Sequence, residues 1–227
     1  MKLWTIMPVK PLLRAKSRLS GVLSPTEREK LALNMLVRNV ELLKSIPSVL
    51  GTLVISRDTK LLSIVRDLGG IHTVQESGQP ELNSALLRAT DLLRSWGAEA
   101  VLILPTDIPL VTAEDIEQIV HLGRLRDTVV IAPDSQKNGT NALLVHPPGI
   151  IQYSYGEGSY ARHITFAELA GLNVQVYESE RIAVDVDTPS DLLLYERLAA
   201  KYGVPVIDYR IEEPTNTTLA LMEDSLN

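Results

Sequence analysis

The sequence predicts a single three-layer α/β domain built on a mostly parallel, mixed sheet. Three observations predict it. Strand-like apolar runs alternate with helical segments from Trp4 to about Tyr202, several of those runs are apolar on both faces, and no linker or internal repeat interrupts them. At 227 residues the chain is long enough for one well-cored α/β domain and short for two.

Trp4 to Val9 reads as a short buried strand. Ser24-Pro25-Thr26-Glu27 then signals a helix start: a serine cap, proline at the first helical position and glutamate at the third. Behind it Leu33, Leu36, Val37, Val40 and Leu43 recur at helical spacing, which gives the helix one face for the sheet. Thr52 to Ser56 is the next strand, followed by a helix from about Lys60 to Leu68 that Gly69-Gly70 ends. Ile71 to Gln75 is a short strand. A helix from about Asn83, its expected cap, to Trp96 turns Leu86, Ala89, Leu93 and Trp96 inward.

Ala100 to Leu104 is expected as the central strand, and Thr112, with Asp115 three places on, caps the helix after it. Val129 to Ala132 is an all-apolar strand, and Asn141 to His146 pairs nearby in the same sheet. A short helix spans Ala161 to Ala170, and a strand follows near Val174 to Val176. Thr188-Pro189-Ser190-Asp191 repeats the start signal and opens a last amphipathic helix through Leu192, Leu193 and Leu198. The domain is therefore expected over residues 1–202. Periodicity fades beyond, leaving 203–227 as a tail that is either disordered or an arm on the neighbouring subunit of a homodimer.

Composition narrows the function classes. A net charge of -6 argues against a general nucleic-acid-binding surface. The absence of cysteine removes disulfides, thiolate metal sites and thiol nucleophiles. No segment approaches the roughly 18 uninterrupted apolar residues that span a membrane. The N-terminal apolar run is too short for a signal peptide, so a cytoplasmic protein without a membrane partner is expected.

The chemistry-bearing residues sit in four places. In Leu104-Pro105-Thr106-Asp107-Ile108-Pro109, a buried strand delivers one carboxylate to the strand-end edge, where ligands collect in open α/β sheets. Asp185 and Asp187 also follow an apolar segment. Two residues apart on extended chain, they project to one face and can reach one cation. Magnesium takes such oxygen ligands, completed by water and substrate phosphates; a helix-start role for Asp187 is the alternative. The loop after the first strand carries Lys10, Arg14, Lys16 and Arg18, a local reversal of charge that suits a polyphosphate, although a solvated basic loop has the same composition. With no glycine before Gly21, it is neither a Walker loop nor a dinucleotide fingerprint. Finally, Asn138-Gly139-Thr140-Asn141 and Gly156-Glu157-Gly158-Ser159 combine glycines that admit close backbone approach with the Thr140 and Ser159 hydroxyls, which can donate to a carboxylate or phosphate; a hairpin turn and a surface loop use the same residues. His163 reads as a helix-surface or packing residue, and the other histidines lack metal-ligand spacing.

Together these segments resemble the guanylyltransferase family of deazaflavin coenzyme F(420) biosynthesis, which acts on 2-phospho-L-lactate or phosphoenolpyruvate. The matching pieces are Pro8-Val9-Lys10 with Ala15-Lys16-Ser17-Arg18-Leu19, Glu81-Leu82-Asn83-Ser84-Ala85, Leu104 to Leu110, Gly139 to Leu143, Gly156 to Ser159, and Asp185-Val186-Asp187-Thr188-Pro189. They stand in family order over roughly residues 2 to 200, with Pro80-Glu81 where the family pattern has a glycine. The resemblance implies a nucleotide-diphospho-sugar-transferase-like fold and magnesium-dependent transfer of GMP from GTP to a small phosphorylated three-carbon acid. It assigns Asp107, Asp185 and Asp187 to magnesium, and Thr140, Gly156 and Ser159 to the acid. Lys10, Lys16 and Arg18 fall to the triphosphate, Asn83 to the nucleoside, and Lys10, Lys16, Arg18 and Asp107 to catalysis. The residues by themselves leave open another nucleotidyltransferase, a glycosyltransferase of the same architecture, or a non-catalytic nucleotide-binding module.

Overall fold

The computed structural model describes residues 1–78 and 81–211. Its elements run β1 (Leu3–Val9), α1 (Pro25–Lys44), β2 (Val49–Ser56), α2 (Thr59–Asp67), β3 (Ile71–Gln75), α3 (Leu82–Ser95), β4 (Ala100–Ile103), α4 (Ala113–Leu122), β5 (Thr128–Pro133), β6 (Thr140–His146), α5 (Ser159–Leu169), β7 (Asn173–Val176) and α6 (Pro189–Tyr202). Two 3-10 turns, Leu12–Arg14 and Ser17–Leu19, shape the loop after β1.

The seven strands form one sheet in the order β3-β2-β1-β4-β6-β5-β7. β6 is antiparallel to both of its neighbours, and every other pairing is parallel. Because strand side chains alternate between faces, the sheet feeds two cores. Met7, Val54, Leu102, Val130 and Leu144 pack with α1, α2 and α4 on one side. Ile6, Leu53, Ile103, Ile131 and Leu143 pack with α3 and α5 on the other. A third cluster, built from Leu31, Met35, Leu110, Val186, Leu192 and Tyr195, seats α6 against α1.

The expected start signals operate as capping boxes: Ser24 with Glu27, Thr112 with Asp115, and Thr188 with Asp191 each exchange side-chain and backbone bonds. Three local expectations need correction. The cap of α3 is Glu81, whose carboxylate accepts from the Asn83 and Ser84 amides, so Asn83 lies inside the helix. Trp96 follows α3 as its C-cap and is 42% exposed, lying edge-on to the Trp4 indole rather than in the core. Leu193 points to solvent on the polar face of α6.

Residues 203–211 of the expected tail pack on their own chain. Tyr209 is buried, the Tyr195 hydroxyl accepts from the Ile207 amide, and Lys30 and Asn34 of α1 donate to the Arg210 and Asp208 carbonyls. The rest of that tail, and the loop residue Pro80, lie outside the described residues. Among the described residues no helix is long and apolar enough to cross a membrane.

Candidate active site

The carboxyl ends of β1 and β4 open on one edge of the sheet, and they deliver the basic loop and Asp107 to it. Running antiparallel, β6 begins where they end: Ile103 pairs with Leu143, which puts Thr140 and Asn141 at the same edge. An extended segment through Val184 and Val186 completes the group. Its alternate side chains are buried, and the Val186 amide donates to the Asp107 carbonyl at 3.0 Å.

Two buried polar anchors hold these loops; sequence reading missed the first and gave the second only its capping role. Asn39, on the inward face of α1, donates to the Thr106 carbonyl at 3.1 Å and the Ile108 carbonyl at 3.4 Å, either side of Asp107. A fully buried asparagine leaves unmet bonds unless it finds such partners. The second anchor is Asp115, which does more than cap α4. It takes a bidentate pair from Arg181 at 2.7 and 2.8 Å and accepts from the Tyr177 and Ser179 hydroxyls. Burial opposes its ionisation, but these donors hold its carboxyl below the usual range. The chain leading to Asp185 is thereby pinned. An Asn between Leu36 and Val40 in an apolar stripe was the available signal for the first anchor.

At the centre, the Lys16 ammonium lies 3.2 Å from Asp107 Oδ2 and 3.1 Å from Asp187 Oδ1. Its side chain is only 8% exposed, and Lys16 adopts left-handed backbone (φ 51°) to reach inward. Burial disfavours its charge, yet the charges of Asp107 and Asp187 outweigh that and raise its pKa. Asp187 is the mirror case: burial works against ionisation, while Lys16, then Lys10 and Arg18, hold its carboxyl low. Asp185 has no such partner. Burial first, then the charges of Asp107 and Asp187, push it up to about 6. The cluster thus holds three carboxylates against one buried ammonium, with exposed Lys10 and Arg18 acting from farther out.

This donor set suits a hard divalent cation: all oxygen, with one carboxylate whose charge its neighbours repel. The three side chains nonetheless do not form a ready-made triad. Among the described residues no three His, Cys, Asp or Glu are arranged to hold a metal ion, and Lys16 bonds Asp107 and Asp187 instead. Two grooves of about 320 and 210 Å³ are lined by other residues, so the charges single out this edge.

The remaining expected residues gather around the start of α5. Thr140 and Ser159 are buried and bonded to each other at 3.3 Å. Gly156 has a φ of 119° and turns its carbonyl to accept from the Ser159 amide, a conformation that a side chain would strain. Asn83 Oδ1 accepts from the Tyr155 amide at 2.7 Å, which ties α3 to the loop before α5. His163 is fully buried rather than on the helix surface.

Comparison with known proteins agrees with this architecture. A solved structure from Desulfovibrio desulfuricans G20 superimposes with a TM-score of 0.73 and 17% identity, over 100% of this chain and 96% of that one. A nucleotidyl transferase from Methanothermobacter gives 0.65 and 15%, over 88% and 99%. These likenesses show the fold. A phosphoenolpyruvate guanylyltransferase of Rubrobacter xylanophilus is 39% identical over 90% of this chain and 97% of its own length. A 2-phospho-L-lactate guanylyltransferase of Methanocaldococcus vulcanius is 36% identical over 82% of this chain and 81% of its own. The family described as "Guanylyl transferase CofC like" matches residues 3–196, which include every residue of the lysine–carboxylate cluster. With a nucleotidyltransferase fold, that cluster at its strand-end edge and relatives above one-third identity, the chain belongs to the CofC-like guanylyl transferase family.

Proposed function

We propose that this chain transfers GMP from GTP to the phosphate of phosphoenolpyruvate or 2-phospho-L-lactate, releasing pyrophosphate, as a step of coenzyme F(420) biosynthesis. One observation carries the reading: Lys16 bonded to Asp107 and Asp187, with Asp185 beside them, at the strand-end edge of a guanylyl-transferase-family domain. The names of the relatives from Rubrobacter and Methanocaldococcus support the two acceptors.

An acceptor phosphate monoester has its second pKa at about 6, so near neutral pH it is largely a dianion. One of its oxygens attacks the α-phosphorus of GTP without a general base. The bond from the α-phosphorus to the bridging oxygen breaks in line, and its electron pair leaves with pyrophosphate. The chain forms no covalent intermediate; it supplies position and positive charge so that two anions can meet. Lys10, Lys16 and Arg18 face the triphosphate. Thr140 and Ser159, with the Gly156 turn, form the acid site. Asn83, its Oδ1 committed to Tyr155, offers its Nδ2 donors to the nucleoside. Asp107, Asp185 and Asp187 would hold magnesium, which when bound neutralises phosphate charge.

The test incubates the protein with GTP, magnesium and each acid separately, follows pyrophosphate and identifies the adduct by mass. Pyrophosphate with a guanylylated acid is expected. Release of a nucleoside diphosphate would indicate glycosyl transfer, binding without turnover would indicate a non-catalytic module, and a competent nucleotidylated protein would refute direct attack.

A further inference from the structure

His163 lies outside the roles assigned above, yet it contacts two of the segments they use. Its Nδ1 is 3.0 Å from Thr140 Oγ1, and its Nε2 receives the Ser154 backbone amide at 3.0 Å. A backbone N–H can only donate, so Nε2 must carry a lone pair. Burial above all, and then the charge of Arg162, push the His163 pKa down to about 4, so the ring is neutral near pH 7. Its single hydrogen therefore sits on Nδ1 and is donated to Thr140 Oγ1.

Thr140 Oγ1 also accepts from the Ser159 hydroxyl, at 3.3 Å. A hydroxyl has two lone pairs and one hydrogen. With both lone pairs taken, the Thr140 hydrogen is left to donate to a third group. Ser159 has spent its own hydrogen on Thr140. The two hydroxyls that sequence alone treats as equivalent donors are thus unequal.

Resting on the reading that Thr140 contacts the acid, we propose that His163 is a positioning residue whose tautomer fixes the Thr140 hydroxyl as a donor. The site then favours an acceptor-only group, the carboxylate or phosphate of the three-carbon acid, and Ser159 acts as a buttress to Thr140. Arg162 holds the same arrangement from behind, donating to the Ser154 hydroxyl at 2.7 Å and the Ser154 carbonyl at 2.9 Å.

Two measurements test this. Nitrogen NMR of the ¹⁵N-histidine-labelled full chain at neutral pH should show His163 protonated at Nδ1 and bare at Nε2; the opposite tautomer, or a charged ring, overturns the proposal. Steady-state kinetics supply the second readout. Thr140→Val should raise KM for the acid about 10-fold or more, as a lost bond to a charged group does, with KM for GTP unchanged. His163→Phe, without a donor, should raise KM for the acid at least 3-fold. His163→Asn, which keeps an N–H near the Nδ1 position, should restore most of that loss. If Thr140→Val leaves KM for the acid unchanged, the reading of Thr140 as an acid contact fails. If Thr140→Val has its effect but Phe and Asn at 163 behave alike, that reading stands and the role given to His163 falls.

Discussion

Lys16→Met separates a structural lysine from one that tunes an ion site. The substitution keeps most of the aliphatic length and removes only the ammonium, which is 3.2 and 3.1 Å from two carboxylates. Breaking a fully buried ion pair costs about 3–5 kcal/mol, because the remaining charge is stranded. Here the lysine is buried, but Asp107 and Asp187 keep 28% and 38% of their side-chain surface exposed. Water therefore screens the stranded charges, and exposed pairs contribute at most about 1 kcal/mol. An intermediate cost of about 2 kcal/mol follows. For a chain of this length each kcal/mol moves Tm by about 2–4 °C, so the variant should melt about 4–8 °C below wild type in chelator. A second consequence sets its sign by charge. In wild type a divalent cation must compete with the ammonium for Asp107 and Asp187, whereas in the variant it meets three carboxylates opposed only by the more distant Lys10 and Arg18. Magnesium should therefore raise the Tm of the variant by more than that of wild type. Scanning calorimetry with and without magnesium reads both effects. A variant that melts with wild type in chelator, or gains no more from magnesium, would refute the account of the cluster.

Asp107→Asn should abolish pyrophosphate release from GTP and acid while circular dichroism shows an unchanged fold; near-normal turnover would remove Asp107 from the site. Arg181→Met leaves the fully buried Asp115 carboxylate with neutral donors only. It should cost about 3 kcal/mol by chemical denaturation and lower turnover by loosening the segment that carries Asp185 and Asp187. His163, held near 4 in the fold against 6.5 unfolded, gives a pH signature. Between these values the unfolded chain binds the extra proton, so the stability its neutral ring contributes is present above pH 6.5 and lost as pH falls toward about 4. The loss amounts to about 3 kcal/mol across the window. The stability difference between wild type and His163→Asn should shrink by that amount from pH 7 to 4, and a pH-independent difference would show that the ring is not held neutral by the fold.

Most of the fold was legible because its signals are local. The capping boxes at Ser24, Thr112 and Thr188 mark helix starts within four residues, and the apolar runs that become β1, β2, β4 and β5 need no distant partner to be seen. Trp96 was misread because helical spacing continues one step past the last turn, where the chain ends in a cap and the indole meets Trp4 at the surface. The direction of β6 is a different matter. A continuous apolar run reads the same in a parallel or an antiparallel strand. Only the connection decides: residues 134–139 are too few for a parallel crossover, which takes a dozen or more.

That reversal matters for the site more than for the sheet. Were β6 parallel to β4, Thr140 and Asn141 would begin at the opposite edge, far from Asp107. Running backward, β6 brings the Thr140 hydroxyl to this edge by its first residue, while the loops that follow β1 and β4 bring Lys16 and Asp107 to it. The acidic residues were legible one by one, since each follows an apolar segment. Their shared partner was not, because Lys16 lies 91 residues from Asp107 and 171 from Asp187. Nor was Asn39, which steadies the Asp107 loop from across 67 residues. A composition of -6 net charge with a basic first loop implied that opposite charges would meet. Folding determined that one lysine meets two carboxylates, leaving Asp185 as the carboxylate of the cluster without a cation beside it.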